Sequence, residues 1–346
     1  MAEPILTQRA LNRALLARQL LLGRAELSIP AALEQLGGIQ NQYAPNAYIR
    51  LWSCLAGFRR DDLTAAYGNG SVVQGTLMRG TIHAVSAPDY HPFLAAIAGD
   101  QRAWAQRVHR GDAGQRPLVL GRVRRALSGR SVPRKELTAL LDGVDPTIRQ
   151  VIDTDAELLR VPPSGTWERR RADIVGLADD VIGHHTDISE ADGTAHLVRR
   201  YLGAFGPASV RDVASFMGVA LTRLKAVVAI LELRRFADES GNELLDVPDA
   251  PLPDPDEPAP VRFLPTWDAT LLVHARRTQI LPEAYRPLIF HTKMPPSYPT
   301  FLVDGQVAGT WRFEDGDVQL APFRTLTSRE RGEVEAEAHR LAAFHA

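Results

Sequence analysis

The stretch that most constrains this chain is residues 196–247, where helices at tight-turn spacing run into a hairpin. His196 to Phe205 has helical spacing and is stopped by Gly206-Pro207. Ser209 is placed to cap the next helix, with Asp212 three residues on as its acidic capping partner. Gly218 ends that helix. Leu221, Leu224, Val227, Val228 and Leu231 then form the apolar stripe of another helix, with Arg223 and Lys225 on its exposed side. Arg235-Phe236-Ala237 and Leu244-Leu245-Asp246-Val247 flank the turn Glu239-Ser240-Gly241-Asn242, which predicts a hairpin. Helices followed by a hairpin is the order of a winged helix.

The order recurs twice upstream. Thr7 caps a helical run through Leu11, Leu15, Leu16, Gln19 and Leu22 that Gly23 ends. Further helices are expected at about 30–36, 45–57 and 60–67, with Gly37-Gly38 as a break. Residues 72–85 then read as β structure with a turn near Arg79-Gly80. In the second copy, helices are expected over 118–127 and from about Ser131 to Gly143, with wing strands at 153–161 and 166–170. Beyond the third copy, six prolines from Pro248 to Pro260 alternate with acids, the pattern of an extended, solvated linker. Short strands follow at 261–264, 269–272, 287–290, 300–303, 306–313 and 318–320, and Thr327-Ser328-Arg329-Glu330 is a capping box for a last helix. The predicted fold is therefore mainly α with β (α+β). It has three tandem winged-helix units at 1–95, 96–190 and 191–248, a linker at 249–260, a small β-barrel or sheet at 261–326, and a C-terminal helix at 327–346.

Composition narrows the functional classes. A chain of 346 residues with 45% hydrophobic and 23% charged residues has material for two to four compact units with real cores. It holds no apolar run of membrane-spanning length, and Met1-Ala2-Glu3-Pro4 does not start a signal peptide. A single cysteine, Cys54, excludes an internal disulfide and a Cys-rich zinc site. A cytoplasmic monomer is expected. The formal net charge of −1 hides a local excess: residues 101–135 carry ten basic side chains against the one acid Asp112. Local charge sets attraction to a phosphate backbone, so this stretch, with Arg122 and Arg125 on a helix, reads either as a nucleic-acid track or as a solvated helix face.

Motifs for cofactor chemistry are missing. The ten histidines form no HxH or HExxH pattern, and His184-His185 read as a loop pair. There is no G-x-S-x-G, and neither Gly37-Gly38 nor Gly203-Ala204-Phe205-Gly206 makes a phosphate loop. No metal and no cofactor is expected. Two clusters stand out. In an extended segment, Gln40 and Gln42 of Gln40-Asn41-Gln42 face one side, about 6–7 Å apart, and Asn41 faces the other. Two amides on one side can hold a water or read a base edge, or simply cap the next helix. Arg79, Thr81 and His83 alternate along the expected strand, so they share a face that contacts phosphate, lines a cleft, or is ordinary exposed strand.

Taken together, five pieces carry a resemblance: Leu36 to Gln42, Met78 to His83, Leu197 to Ala208, Phe263 to Asp268 and Val303 to Trp311. In this order, over about residues 5–345, the chain resembles the AlkZ-type (YcaQ-related) winged-helix DNA glycosylases of bacteria. The resemblance implies that Gln40 and Gln42 are the catalytic Q-x-Q pair, with Asn41 departing from the apolar middle residue usual there. It implies a hairpin probing DNA in the C-terminal β region, here 290–295 with His291 and Lys293. It also implies removal of N7- or N3-alkylated purines from duplex DNA, including bulky natural-product adducts and crosslinks, as antibiotic self-resistance. Arg79, Thr81, His83, Arg122 and Arg125 are then the expected DNA contacts, with no obligate protein partner. Two other readings use the same fold: a non-catalytic DNA-binding regulator or adduct shield, and a small-molecule binder.

Overall fold

In this computed structural model, residues 4–272, 278–290 and 297–346 are described. Among them, helix ends lie where local chemistry puts them. Thr7 and Ser28 accept from the backbone N–H groups of Ala10 and Ala31 and open the helices Gln8–Arg18 and Ile29–Leu36. Reciprocal Ser209–Asp212 and Thr327–Glu330 bonds open Val210–Met217 and Ser328–His345. The first helix ends earlier than Gly23, at Arg18, and Leu20 then takes a left-handed φ of 56°.

Three sheets organise the strands. The largest has six, in the order Ile39–Gln40, Ile82–Ser86, Val72–Thr76, Leu158–Arg160, Ile174–Leu177 and Val132–Pro133. The first hairpin and the strands of the second helix group therefore share one sheet, joined where Gln74 pairs with Arg160 and Gly75 with Leu159. The second sheet joins Ile5–Leu6, parallel, to the hairpin Arg234–Asp238 and Glu243–Asp246. The third is an open antiparallel sheet of Arg262–Leu264, Thr300–Val303, Gln306–Glu314 and Asp317–Pro322.

Several elements differ from the expectation, each for a local reason. The strand that follows Leu158–Arg160 and pairs with it is Ile174–Leu177, not 166–170. Residues 165–169 close into a turn instead, with the N–H groups of Gly165 and Thr166 donating to the Arg169 carbonyl at 2.9 and 3.2 Å, whereas Val175 is β-branched and buried. Residues 269–272 and 286–289 are short helices rather than strands. Asp268 caps the former by accepting from Thr270 N (2.9 Å), and Pro287 sits in the first turn of the latter, where its fixed φ suits a helix. The 23-residue helix Ala87–His109, with Pro92 inside it, joins the first hairpin to the basic stretch. At 1.5 Å per residue it spans about 34 Å.

That helix packs on Glu190–Phe205, and their interface is the middle of the largest core. Tyr90, Phe93, Ile97, Tyr201, Phe205 and Phe216 meet there. A second core gathers Tyr48, Trp52, Trp167, Phe263, Phe301 and Trp311, and so ties the first helices to the C-terminal sheet. A fully buried ion pair fastens the first helix to the third hairpin. Arg18 grips both oxygens of Asp246 at 2.6 and 2.9 Å, and Arg234 adds a third bond at 2.7 Å. Asn12 also reaches the carbonyl of Gly305 at 2.8 Å, and Arg13 pairs with Asp304. Among the described residues, no helix is long and apolar enough to cross a membrane.

Candidate active site

The Gln40-Asn41-Gln42 segment enters the large sheet at its edge. Ile39 pairs with Ala84 and Gln40 with His83. Gly38, at φ 81°, allows this entry: a Cβ there would sit 2.9 Å from Cγ1 of Val85. Side chains then alternate. Asn41 is fully buried, Gln40 is half-buried and Gln42 is exposed.

Asn41 accounts for its own burial. Its Nδ2 donates to Oε1 of Gln74 at 2.8 Å, and its Oδ1 accepts from the backbone N–H of Ala47 at 3.2 Å. Gln74, also buried, donates to the carbonyl of Gly165 at 3.1 Å. Arg160 reaches the Asn41 carbonyl at 3.4 Å, and burial lowers the pKa of its guanidinium. A polar middle residue is thus satisfied by a polar floor beneath it. An apolar residue at 41 would leave Oε1 of Gln74 with only the longer bond from Arg160, at 3.4 Å.

Gln40 is held from the other side. Its Oε1 accepts from Nη2 of Arg79 at 3.0 Å, and Oε1 of Gln42 accepts from the N–H of Ile82 at 3.2 Å. Each carbonyl retains a second lone pair. Arg79 also donates to the carbonyl of Phe216 and lies 5.3 Å from that ring. Burial lowers its pKa to about 10, so it stays charged at neutral pH. His83 faces the same guanidinium at 3.5 Å, and its Nδ1 is 3.0 Å from the Thr81 carbonyl. Burial first, and the charge of Arg79 second, lower the His83 pKa to about 3, so the ring is neutral.

The three residues expected to share a strand face are therefore arranged differently. Arg79 stands in the connecting turn, at φ 57°, before the strand begins at Ile82. Thr81 bonds back to the Met78 carbonyl at 3.1 Å. His83 is 1% exposed, so it reaches Arg79 and not solvent. A Cβ on Gly218, itself at φ 75°, would meet the Arg79 backbone at 3.2 Å, so the third helix group closes tightly on this turn.

Two recesses flank the site. Pro265, Trp267 and Asp268 line a narrow one with Gln40 and Arg50, and Arg50 pairs with Asp268 at 3.0 Å, both buried. On the far side of Arg79 lies an open cleft of about 550 Å³, lined by Gln101, Trp104, Arg107, Gln150 and Gly218. Trp104 is 47% exposed, which is unusual for the largest side chain. The sequence reading passes over it, although it is the one tryptophan among the arginines of 101–135.

The basic stretch divides in two. Arg102 and Arg116 both pair with Asp155, Arg124 with Glu157 and Asp179, Arg130 with Glu136, and Arg134 with Asp153. Arg122 and Arg125 are exposed on the helix Arg116–Leu127 with no acidic partner among the described residues. They are not part of the Gln40 cluster. His291 and Lys293 lie outside the described residues.

A family described as "DNA glycosylase AlkZ-like" matches residues 33–344. No curated protein matches the sequence. Among solved structures, the Streptomyces sahachiroi DNA glycosylase AlkZ superposes with a TM-score of 0.82 at 18% identity, over 98% of this chain and 97% of that one. At that identity the likeness speaks for the fold.

Proposed function

Since this chain belongs to the AlkZ-like DNA glycosylase family, we propose that it is a monofunctional glycosylase for N7- or N3-alkylated purines in duplex DNA, bulky adducts and crosslinks among them. It acts as a cytoplasmic monomer without an obligate protein partner. The observation that carries this reading is the held pair of neutral amides. Gln40 is fixed by Arg79 and Gln42 by the Ile82 N–H, with Asn41 turned away beneath them.

The chemistry suits such mild groups. Alkylation at purine N7 places a positive charge on the base, so the base leaves readily once the sugar cation begins to form. The remaining task is to place a water and to stabilise developing charge. The free lone pairs of the two amide carbonyls accept from that water. Arg79 keeps the Gln40 amide in one orientation, and the neutral His83 beside it adds no second charge to repel a cationic base. Trp104 and Arg107 on the cleft wall, with Arg122 and Arg125 beyond, supply stacking and phosphate contacts.

The test is base release from a duplex carrying one N7-methylguanine, read as strand cleavage after mild alkali with spontaneous depurination subtracted. The wild type releases the base above background. Gln40→Ala and Gln42→Ala each lower the single-turnover rate by about 100-fold, the scale of losing one preorganised group, while the melting temperature holds. Equal rates in all three proteins would remove the pair from catalysis. Tight duplex binding with no release would make the chain a binding protein.

A further inference from the structure

Away from the glutamine pair, three residues from distant parts of the sequence converge on a second cavity. His91 lies in the first turns of the helix Ala87–His109, Glu157 just before the strand Leu158–Arg160, and His185 in the segment leading to the helix Glu190–Phe205. One ligating atom from each lies within 4.8 Å of the other two. The imidazoles of His91 and His185 are stacked, with centroids 3.5 Å apart and planes 16° from parallel. Nδ1 of His91 is 3.8 Å from Oε2 of Glu157, whose other oxygen is held by Arg124 at 3.1 Å. The cavity holds about 270 Å³ and has Asp187 on its wall.

The telling group is His91. It is 7% exposed, and neither ring nitrogen has a hydrogen-bond partner. A buried imidazole with both nitrogens idle has lost its water and gained nothing polar in return. Arginine does not fill the gap, because Arg102 and Arg116 are taken up by Asp155 and Arg124 by Glu157 and Asp179. Two imidazoles and one carboxylate oxygen are the donor set of a three-ligand zinc site, with the fourth position left to water.

We propose that His91, Glu157 and His185 form a binding site for a divalent zinc-class ion that ties the 183–189 segment to the start of the long helix. Bonds of about 2.0–2.1 Å in tetrahedral geometry put ligand atoms roughly 3.4 Å apart, so atoms now within 4.8 Å of one another close by at most about 1.4 Å around the ion. His185 makes that movement, since its side chain is exposed, and turns its ring so that its nitrogen and that of His91 converge. His91 and Glu157 stay in place, anchored by the helix and by Arg124. Spacing along the chain hides such a site, because no two ligands are near neighbours.

The experiment titrates Zn²⁺ into the untagged, chelator-stripped full chain at neutral pH against a chromophoric chelator. The wild type takes up one tight equivalent. His185→Ala, an exposed change that leaves the core alone, weakens it by at least about tenfold. His184→Ala leaves it unchanged. Zinc raises the melting temperature of the wild type and not of His185→Ala. Equal zinc affinity in the wild type and His185→Ala overturns the proposal, as does loss of binding in His184→Ala with retention in His185→Ala. Base release is not read in this experiment, so its outcome is separate from that of the glycosylase reading.

Discussion

Two hairpins follow two helix groups in this chain, and they are built on opposite terms. The first, Val72–Thr76 with Ile82–Ser86, has strands on both sides and buries polar side chains within it, Gln74 and His83 among them. The third, Arg234–Asp238 with Glu243–Asp246, carries an exposed Arg235–Glu243 pair across its strands and keeps its one critical polar group, Asp246, underneath. Buried polar groups are the informative departures in a protein interior. In the third hairpin they serve attachment. In the first they support the site in two ways, His83 beside the Arg79 that holds the Gln40 amide and Gln74 beneath Asn41.

The comparison is tested hardest at Asp246. Asp246→Asn leaves Arg18 and Arg234 without their shared anion, Arg18 fully buried, and should cost about 3–5 kcal/mol in urea unfolding. If the loss is under 1 kcal/mol, the ion pair is not what holds the third hairpin. A smaller effect separates the first hairpin by pH. His83 titrates at about 3 in the folded chain against about 6.5 when unfolded. Below pH 6.5 the unfolded chain takes up that proton and the folded chain does not. Stability therefore falls as pH drops from 6.5 toward 3, by about 1.4 kcal/mol per unit once below 6.5, and this group adds no slope above it. Denaturation midpoints at pH 7 and 5 should differ less in His83→Gln than in the wild type. An identical difference would mean that the ring is not held neutral. The smallest effect belongs to the exposed pair. Glu243→Gln should change stability by no more than about 0.5 kcal/mol, and a larger loss would contradict the surface character of the third hairpin.

These hairpins also mark what a linear reading can reach. The caps at Thr7, Ser209 and Thr327 are visible because the capping groups sit within three residues of each other. The inward turn of Asn41 follows from the period of an extended segment, and it is there. The same period fails for Arg79, Thr81 and His83, because Arg79 belongs to a left-handed turn and not to the strand. Nothing near Arg79 in sequence announces Phe216 as its partner, and nothing near Gln40 announces Pro265 to Asp268 beside it. The arginines of the basic stretch look like a phosphate track because their acids, Asp153, Asp155 and Glu157, lie a few dozen residues further on. Pairing over such distances leaves no periodic trace.

The clasp between the first helix and the third hairpin has a consequence for synthesis. Ile5–Leu6 and Arg18 leave the ribosome more than two hundred residues before their partners Ala237 and Asp246. At about 5–20 residues per second, the N-terminal strand waits on the order of tens of seconds for its neighbour. Meanwhile Leu15 and Leu16 have no finished core to enter. Over that interval the nascent chain carries an unpaired strand and an apolar helix face, which makes this segment a target for a holding chaperone.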